Sequence, residues 1–298
     1  MPLPQPTDPA RPPEPLTAER ADAEVENSGG PLTSEEQAQV EDHGKLRPVA
    51  IYEVVRQEGV EELGRPWRSL WWSGLAAGLS IGLSVTAEGT LHALLPEAPW
   101  KPLVESLGYT VGFLIVIMAR QQLFTEITLT AVLPVLATPT RRLLGALARN
   151  WSVVFLANMV GTACFAALLS IEGVLPGFVT EGALAISAHV ARVEAAPTFL
   201  RAIFAGWMMA LLVWVLPLAE SARFWMIALI TYLISLFELS HVVAGSVEIF
   251  LLVFEGRLAM AEAVLRYLLP FLLGNILGGS ALFALLAYGQ VRDELAEG

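Results

Sequence analysis

From residue 70 onward, long apolar runs alternate with short polar segments. Six such runs lie near 70–95, 103–137, 149–170, 198–217, 223–254 and 264–289. Each approaches or exceeds the ~20 residues an α-helix needs to cross a bilayer. The pattern predicts an all-α polytopic membrane protein with six transmembrane helices. The second and fifth runs are too long for one straight helix, and polar residues interrupt both. In the second, LGYTVGFLIVIMA meets RQQLFTE (120–126) before ITLTAVLPVLA; in the fifth, FWMIALITYLISLF meets ELSH (238–241) before VVAGSVEIFLLVF. Irregular backbone at membrane depth survives only where protein or a water-filled cavity satisfies it, so both breaks are expected to line something. Each falls in the second span of a three-span half. An odd number of spans inverts the second half, giving two inverted three-helix repeats with the second and fifth helices broken, a transporter architecture.

The loops set an orientation. Arg141, Arg142 and Arg149 cluster at 138–149, and Arg65 and Arg68 precede the first span. The 171–197 loop has only Arg192 against Glu172, Glu181 and Glu194. The positive-inside rule puts the 138–149 loop and both termini in the cytoplasm, with the chain in the cell inner (plasma) membrane. Residues 1–48 form an acidic, Pro-rich tail expected to be disordered, without the apolar core of a signal peptide. Across 49–66, Val49, Tyr52, Val55, Val60 and Leu63 suggest an amphipathic helix on the membrane face or against the bundle. The channel domain is expected over 67–290, with a cytoplasmic tail at 291–298.

Composition sharpens this. Mean hydropathy is +0.58 and charged residues are 16%, against roughly 25% in soluble domains. Residues 1–66 hold 14 acids and 6 bases, so most of the net charge of −11 belongs to the tail. It implies no nucleic-acid partner and says nothing of a transported species. Cys164, alone, cannot form an intramolecular disulfide and reads as a packing residue. No nucleophile–base set, metal cluster or phosphate loop appears, so no enzyme, cofactor or metal is expected.

Six segments in order carry a resemblance: GLAAGLSIGLS (74–84), QLFTEITLT (122–130), RNWSVVFLANMVGT (149–162), RAIFAGWMMALLVW (201–214), SHVVAG (240–245) and LLGNILGG (272–279). The chain resembles the formate/nitrite transporter family of small-anion channels over residues ~65 to 290. The resemblance implies an aquaporin-like fold, although neither break carries Asn-Pro-Ala, and a homopentamer with one pore per protomer. It implies that the chain conducts a small monovalent anion or its conjugate weak acid. The bilayer is its environment.

An ionisable residue inside a membrane is a functional-site hypothesis by default, which singles out His241. A small anion loses its hydration in a dry pore, and protonating it from or through the histidine lets a neutral acid cross. The resemblance implies that Thr125 faces His241, and that Phe124, Leu123, Phe113, Tyr109 and Leu239 bound the pathway. Asn275 is expected to bond across the bundle near the pore; Asn150 and Asn158 read as helix–helix glue. Arg120, Glu126, Glu238 and Glu248 either pair among themselves or, for Arg120, replace a missing positive charge. The family pattern is broken where Gly206 and Gly245 stand in place of asparagines, and where His189 or Arg192 is the nearest substitute for a lysine before the fourth span. Two further readings stay open: a non-conducting scaffold whose acidic tail docks a partner, and a channel for a neutral solute.

Overall fold

The computed structural model describes residues 47–219 and 221–297, with 293–297 as backbone. The expected disordered tail lies outside the described residues up to position 46. All regular elements among the described residues are helical. In chain order they are α1 (Pro48–Gly64), α2 (Trp67–Leu94), α3 (Lys101–Met118), α4 (Phe124–Thr130), α5 (Leu133–Ala137), α6 (Arg141–Leu169) and α7 (Gly177–Val190). There follow α8 (Ala195–Val215), α9 (Arg223–Leu236), α10 (Val242–Phe254) and α11 (Met260–Arg292). Five stretches are long and apolar enough to cross a membrane: α2, α3, α6, α8 with its 3₁₀ extension to Leu218, and α11. The apolar helices α9, α10 and the 124–137 pair are shorter, because the breaks divide them.

The core is built where small residues let backbones touch. A Cβ at Gly78 in α2 would overlap the Asn158 carbonyl oxygen, and one at Gly206 in α8 would overlap the Asn275 carbonyl oxygen. Side chains that cannot fit this core face outward, including Trp72 and Trp225 at helix starts, as expected of aromatic anchors at an interface. Cys164 is also exposed, so it is not the packing residue its apolar surroundings suggested.

Three details depart from the sequence expectation. The 171–197 segment is not a plain loop. Fourteen of its residues form α7, which docks on α2 where Gly182 meets Gly89. The helix is too short to span, so counting span lengths passes over it. The C-terminal segment 291–297 continues the last helix instead of forming a tail. In α1 the buried stripe is Ile51, Tyr52, Val55, Gly59 and Leu63, and Val60 is exposed. This stripe packs against Leu129, Leu133 and Ala210 of the bundle. Arg149 donates to the Leu63 carbonyl (2.7 Å) and Asn150 to the Glu62 carbonyl (3.2 Å), satisfying the end of α1.

Candidate functional site

The two breaks adopt the same backbone. Where α3 ends, Arg120 N–H donates to Ile117 O (3.1 Å) and Gln121 N–H to Val116 O (3.0 Å). Where α9 ends, Glu238 N–H donates to Ser235 O (2.8 Å) and Leu239 N–H to Ile234 O (2.9 Å). Arg120 and Glu238 take the left-handed position of each cap, with φ of 52° and 51°. Glycine usually fills that position; a side chain there costs on the order of 1 kcal/mol.

Beyond each turn an asparagine from another helix holds the returning chain. Asn158 of α6 accepts from Phe124 N–H (2.9 Å) and donates to the carbonyls of Gln122 (2.9 Å) and Gly74 (2.7 Å). Asn275 of α11 accepts from Val242 N–H (2.8 Å) and donates to the carbonyls of Ser240 (2.9 Å) and Ala202 (2.7 Å). Both asparagines are fully buried. Each satisfies the first N–H of a half-helix and ties the break to a neighbouring helix.

Leu123 and His241 hold the equivalent position, as the N-caps of α4 and α10. Leu123 is buried and apolar. His241 caps its own helix, its Nδ1 accepting from Ala244 N–H (3.2 Å). That bond fixes the neutral tautomer, because an accepting Nδ1 leaves the ring proton on Nε2. Nε2 lies 2.7 Å from Thr125 Oγ1, to which it donates. A second ring proton, on Nδ1, would face the Ala244 N–H head-on.

Aromatic rings complete this layer. Phe113 meets the His241 ring edge-on at 4.9 Å between centroids and Tyr109 at 5.0 Å. Phe124 packs on Trp151 (6.0 Å) and Phe155 (5.2 Å) of α6. Two cavities flank the layer and share no lining residue. One, of about 450 Å³, is lined by Tyr109, Leu239, His241 and Glu248, with Glu238 near its rim. The other, of about 760 Å³, is lined by α1 residues with Ile117, Arg120 and Glu126. Tyr109, Phe113 and Ile117 are one stripe of α3, so Phe113 lies between the cavities, in a helix segment rising about 12 Å. Leu123, Phe124, Thr125 and Asn275 line neither cavity.

The four charged residues do not pair among themselves. Arg120 reaches Glu58 of α1 (3.8 Å), while Glu238 pairs with Arg201 (3.1 Å) and His189 (3.3 Å). Arg120 and Glu238 cannot meet because they sit at corresponding turns on different cavities. Glu126 faces the larger cavity and Glu248 the smaller. His189 and Arg192 both line the smaller cavity, but Arg201 is the cation bonded to the break. Outside the spans, burial pushes the Glu58 carboxyl above its ordinary range, partly offset by Arg120 and Arg223. The hydrogen bond from Arg56 holds Glu53 below it.

Sequence reading missed three members of this site. Asn158 does the same work as Asn275, which an asparagine at a fixed distance from each break could have signalled. Arg201 was passed over inside a motif. Glu88 of α2 lines the smaller cavity and accepts from Ser235 Oγ (2.6 Å). Its signal was a carboxylate inside an apolar span. Gly206 also has a structural explanation. It packs on the Asn275 backbone as Gly78 packs on that of Asn158, so an asparagine does not fit there.

Comparison with known proteins follows the same lines. The family described as formate/nitrite transporter matches residues 49–289. The chain is 43% identical over 256 residues to an inner membrane protein, YfdC, of Escherichia coli (strain K12), covering 86% of this chain and 83% of that protein. It is 25% identical over 246 residues to the formate channel BtFdhC of Bacillus thuringiensis, covering 78% and 91%. Among solved structures, an FNT family ion channel superposes with a TM-score of 0.65 at 24% identity, covering 82% of this chain and 96% of that one. A pentameric formate channel with formate bound gives 0.64 at 19%, covering 76% and 97%.

Proposed function

Because the chain belongs to the formate/nitrite transporter family, we propose that it is an inner-membrane, homopentameric channel that passes a small monovalent anion as its conjugate acid through each protomer. Six spans in two inverted repeats, with both termini cytoplasmic, form each pore. The asparagine bonds at both breaks and the matched glycines Gly78 and Gly206 support this repeat. The carrying observation is the Thr125–His241 pair, buried beside Phe113 between two cavities with no shared wall. In this reading His241 acts as a fixed donor. Its Nε2–H stays aimed where the Nδ1 bond holds it; Thr125 Oγ1 gives way to the passing solute and restores the bond behind it. Phe113, Tyr109, Leu123 and Leu239 keep the passage apolar, which favours a neutral acid over its anion. Phe124 and Asn275 act indirectly by fixing the break loops, and Arg192, on the wall of the smaller cavity beside the Arg201–Glu238 pair, offers the positive charge that gathers anions. Gly206, where the family pattern has an asparagine, is accounted for by packing, so its departure from that pattern does not argue for a non-conducting scaffold.

The test is flux into proteoliposomes loaded with a pH-sensitive dye, under inward gradients of formate, nitrite, acetate and hydrosulfide. Internal acidification above the empty-liposome leak, lost in His241→Asn with the oligomer intact, is the expected result. Equal acidification in that variant would remove His241 from the mechanism. No acidification with any of the four acids would overturn the channel reading.

A further inference from the structure

His241 presents a difficulty as a proton carrier. Its Nδ1 is held by the Ala244 N–H, so taking up a second proton breaks the cap of α10. A proton for the incoming anion is better sought elsewhere on the same cavity. On α10, His241, Gly245 and Glu248 follow one another at i, i+4 and i+7, and all three line the 450 Å³ cavity. That spacing puts them on one face. Gly245 presents no side chain, and Phe271 closes over it, so the wall from Glu248 to His241 is smooth. The two groups are separated by about 10 Å of helix rise.

Glu248 is 8% exposed, and no hydrogen bond or ion pair reaches its carboxyl among the described residues. Its carboxyl therefore looks into the cavity without a partner. Glu88 of α2 and Tyr109 of α3 face it across that space. Glu88 is already held by Ser235. Of the other groups lining the cavity, Arg201 and His189 are held by Glu238, His92 by Glu105, and Arg192 makes no ion pair with Glu248. A desolvated carboxylate with no cation beside it, next to a second carboxyl, costs far more than a neutral acid in the same place.

We propose that Glu248 is a proton-donating residue of the transport pathway, acting on the anion before it reaches His241. This rests on the weak-acid reading above. The O–H bond of Glu248 breaks and a new O–H (or, for hydrosulfide, S–H) bond forms on the anion. The neutral acid moves along the Gly245 wall to the His241 Nε2–H. A proton from the bulk solution on the open side, relayed as hydronium through water entering the cavity, returns to the Glu248 carboxylate and leaves neutral water behind. Glu88 is a positioning residue. Its Ser235 bond keeps it from competing for the anion.

The experiment pairs two readouts on the full-length protein in liposomes. Infrared difference spectra at neutral pH should show the C=O stretch of a protonated carboxylic acid in wild type, missing in Glu248→Gln. Weak-acid acidification should fall at least tenfold in Glu248→Gln and recover partly in Glu248→Asp, with oligomer size unchanged in both. Flux lost in His241→Asn but unchanged in Glu248→Gln would sink the donor role while leaving the channel reading intact. Absence of the Glu248-dependent band would also overturn it. A wild type that moves none of the four acids removes both the reading and the proposal. Should Glu248→Gln fail to assemble, Glu248→Asp decides: unchanged flux and an unshifted band together count against the donor role.

Discussion

The break at Leu123 and the break at His241 have one scaffold and two chemistries. Both end a helix in a left-handed residue, both fold back, and both are tied by a buried asparagine with three hydrogen bonds. At the capping position one carries an isobutyl group and the other an imidazole. At the turn one carries Arg120, loosely paired with Glu58, and the other Glu238, clasped by Arg201 and His189. A scaffold that satisfies its own backbone places few demands on the side chain at its centre. That freedom lets one copy supply an apolar wall and the other a hydrogen-bond donor.

The largest effects should come from the shared scaffold. Asn158→Ala and Asn275→Ala each leave two buried backbone groups unsatisfied, the first N–H of the half-helix and a carbonyl of the break, at about 1–3 kcal/mol apiece; the third partner, a carbonyl inside α2 or α8, keeps its helical bond. Both should lose several kcal/mol and melt earlier by similar amounts when thermal stability is followed by size exclusion in detergent. A loss confined to one of them would show that the two breaks are not equivalent.

Proton-linked flux should then separate the breaks. His241→Asn should reduce acidification to the empty-liposome rate, whereas Leu123→Met should leave it within about twofold, since a volume-conserving apolar swap is the mildest change a packed wall can receive. If the two variants behave alike, the chemical asymmetry has no functional meaning. Thr125→Val sharpens the same point. It removes one buried hydrogen bond, worth about 1 kcal/mol, and should slow flux roughly fivefold.

Restoring the family asparagines gives a graded test of packing. Gly206→Asn should destabilise strongly, because its Cβ meets the fixed Asn275 backbone, as Gly78→Asn should against Asn158. Gly245→Asn should be milder, since its neighbour is the Phe271 ring, which can tilt. Equal melting temperatures for Gly206→Asn and wild type would undo the packing explanation.

The smallest effect concerns α1 and pH. Burial raises the Glu58 carboxyl, so its contribution to stability is fully present below the ordinary carboxylate range and lost as pH rises through the raised value. Glu53 is lowered by Arg56, so its contribution is present above that range and lost as pH falls through the depressed value. Glu58→Gln should therefore raise the melting temperature more in alkaline than in acid buffer, and Glu53→Gln should lower it most near neutrality. Parallel melting profiles against pH for wild type and Glu58→Gln would show that the cavity beside α1 is well hydrated.

Much of the fold was legible because the bilayer is a demanding solvent. Run lengths gave the long helices, and polar residues inside them marked the breaks. The positions of His241 and Asn275 could be named for the same reason, since polar groups in an apolar run need partners, whereas Thr125 came only from the family resemblance. What was not legible depended on partners far apart in sequence. Glu238 reads as a free charge until Arg201 and His189 arrive from two other helices. Asn158 reads as glue until its bond to Phe124 N–H is seen. The helix α7 is invisible to any rule based on crossing length.

The sequence by itself determined that this chain lives in a membrane, where its crossing helices run and where they must break, because hydrocarbon penalises every unsatisfied polar group and composition records that penalty directly. Only the tertiary structure decided which residues meet at the breaks and which nitrogen of His241 carries the proton. It also set the side of the constriction that each carboxyl faces. Those depend on hydrogen-bond geometry and close backbone approach, which residue type and spacing along the chain do not encode.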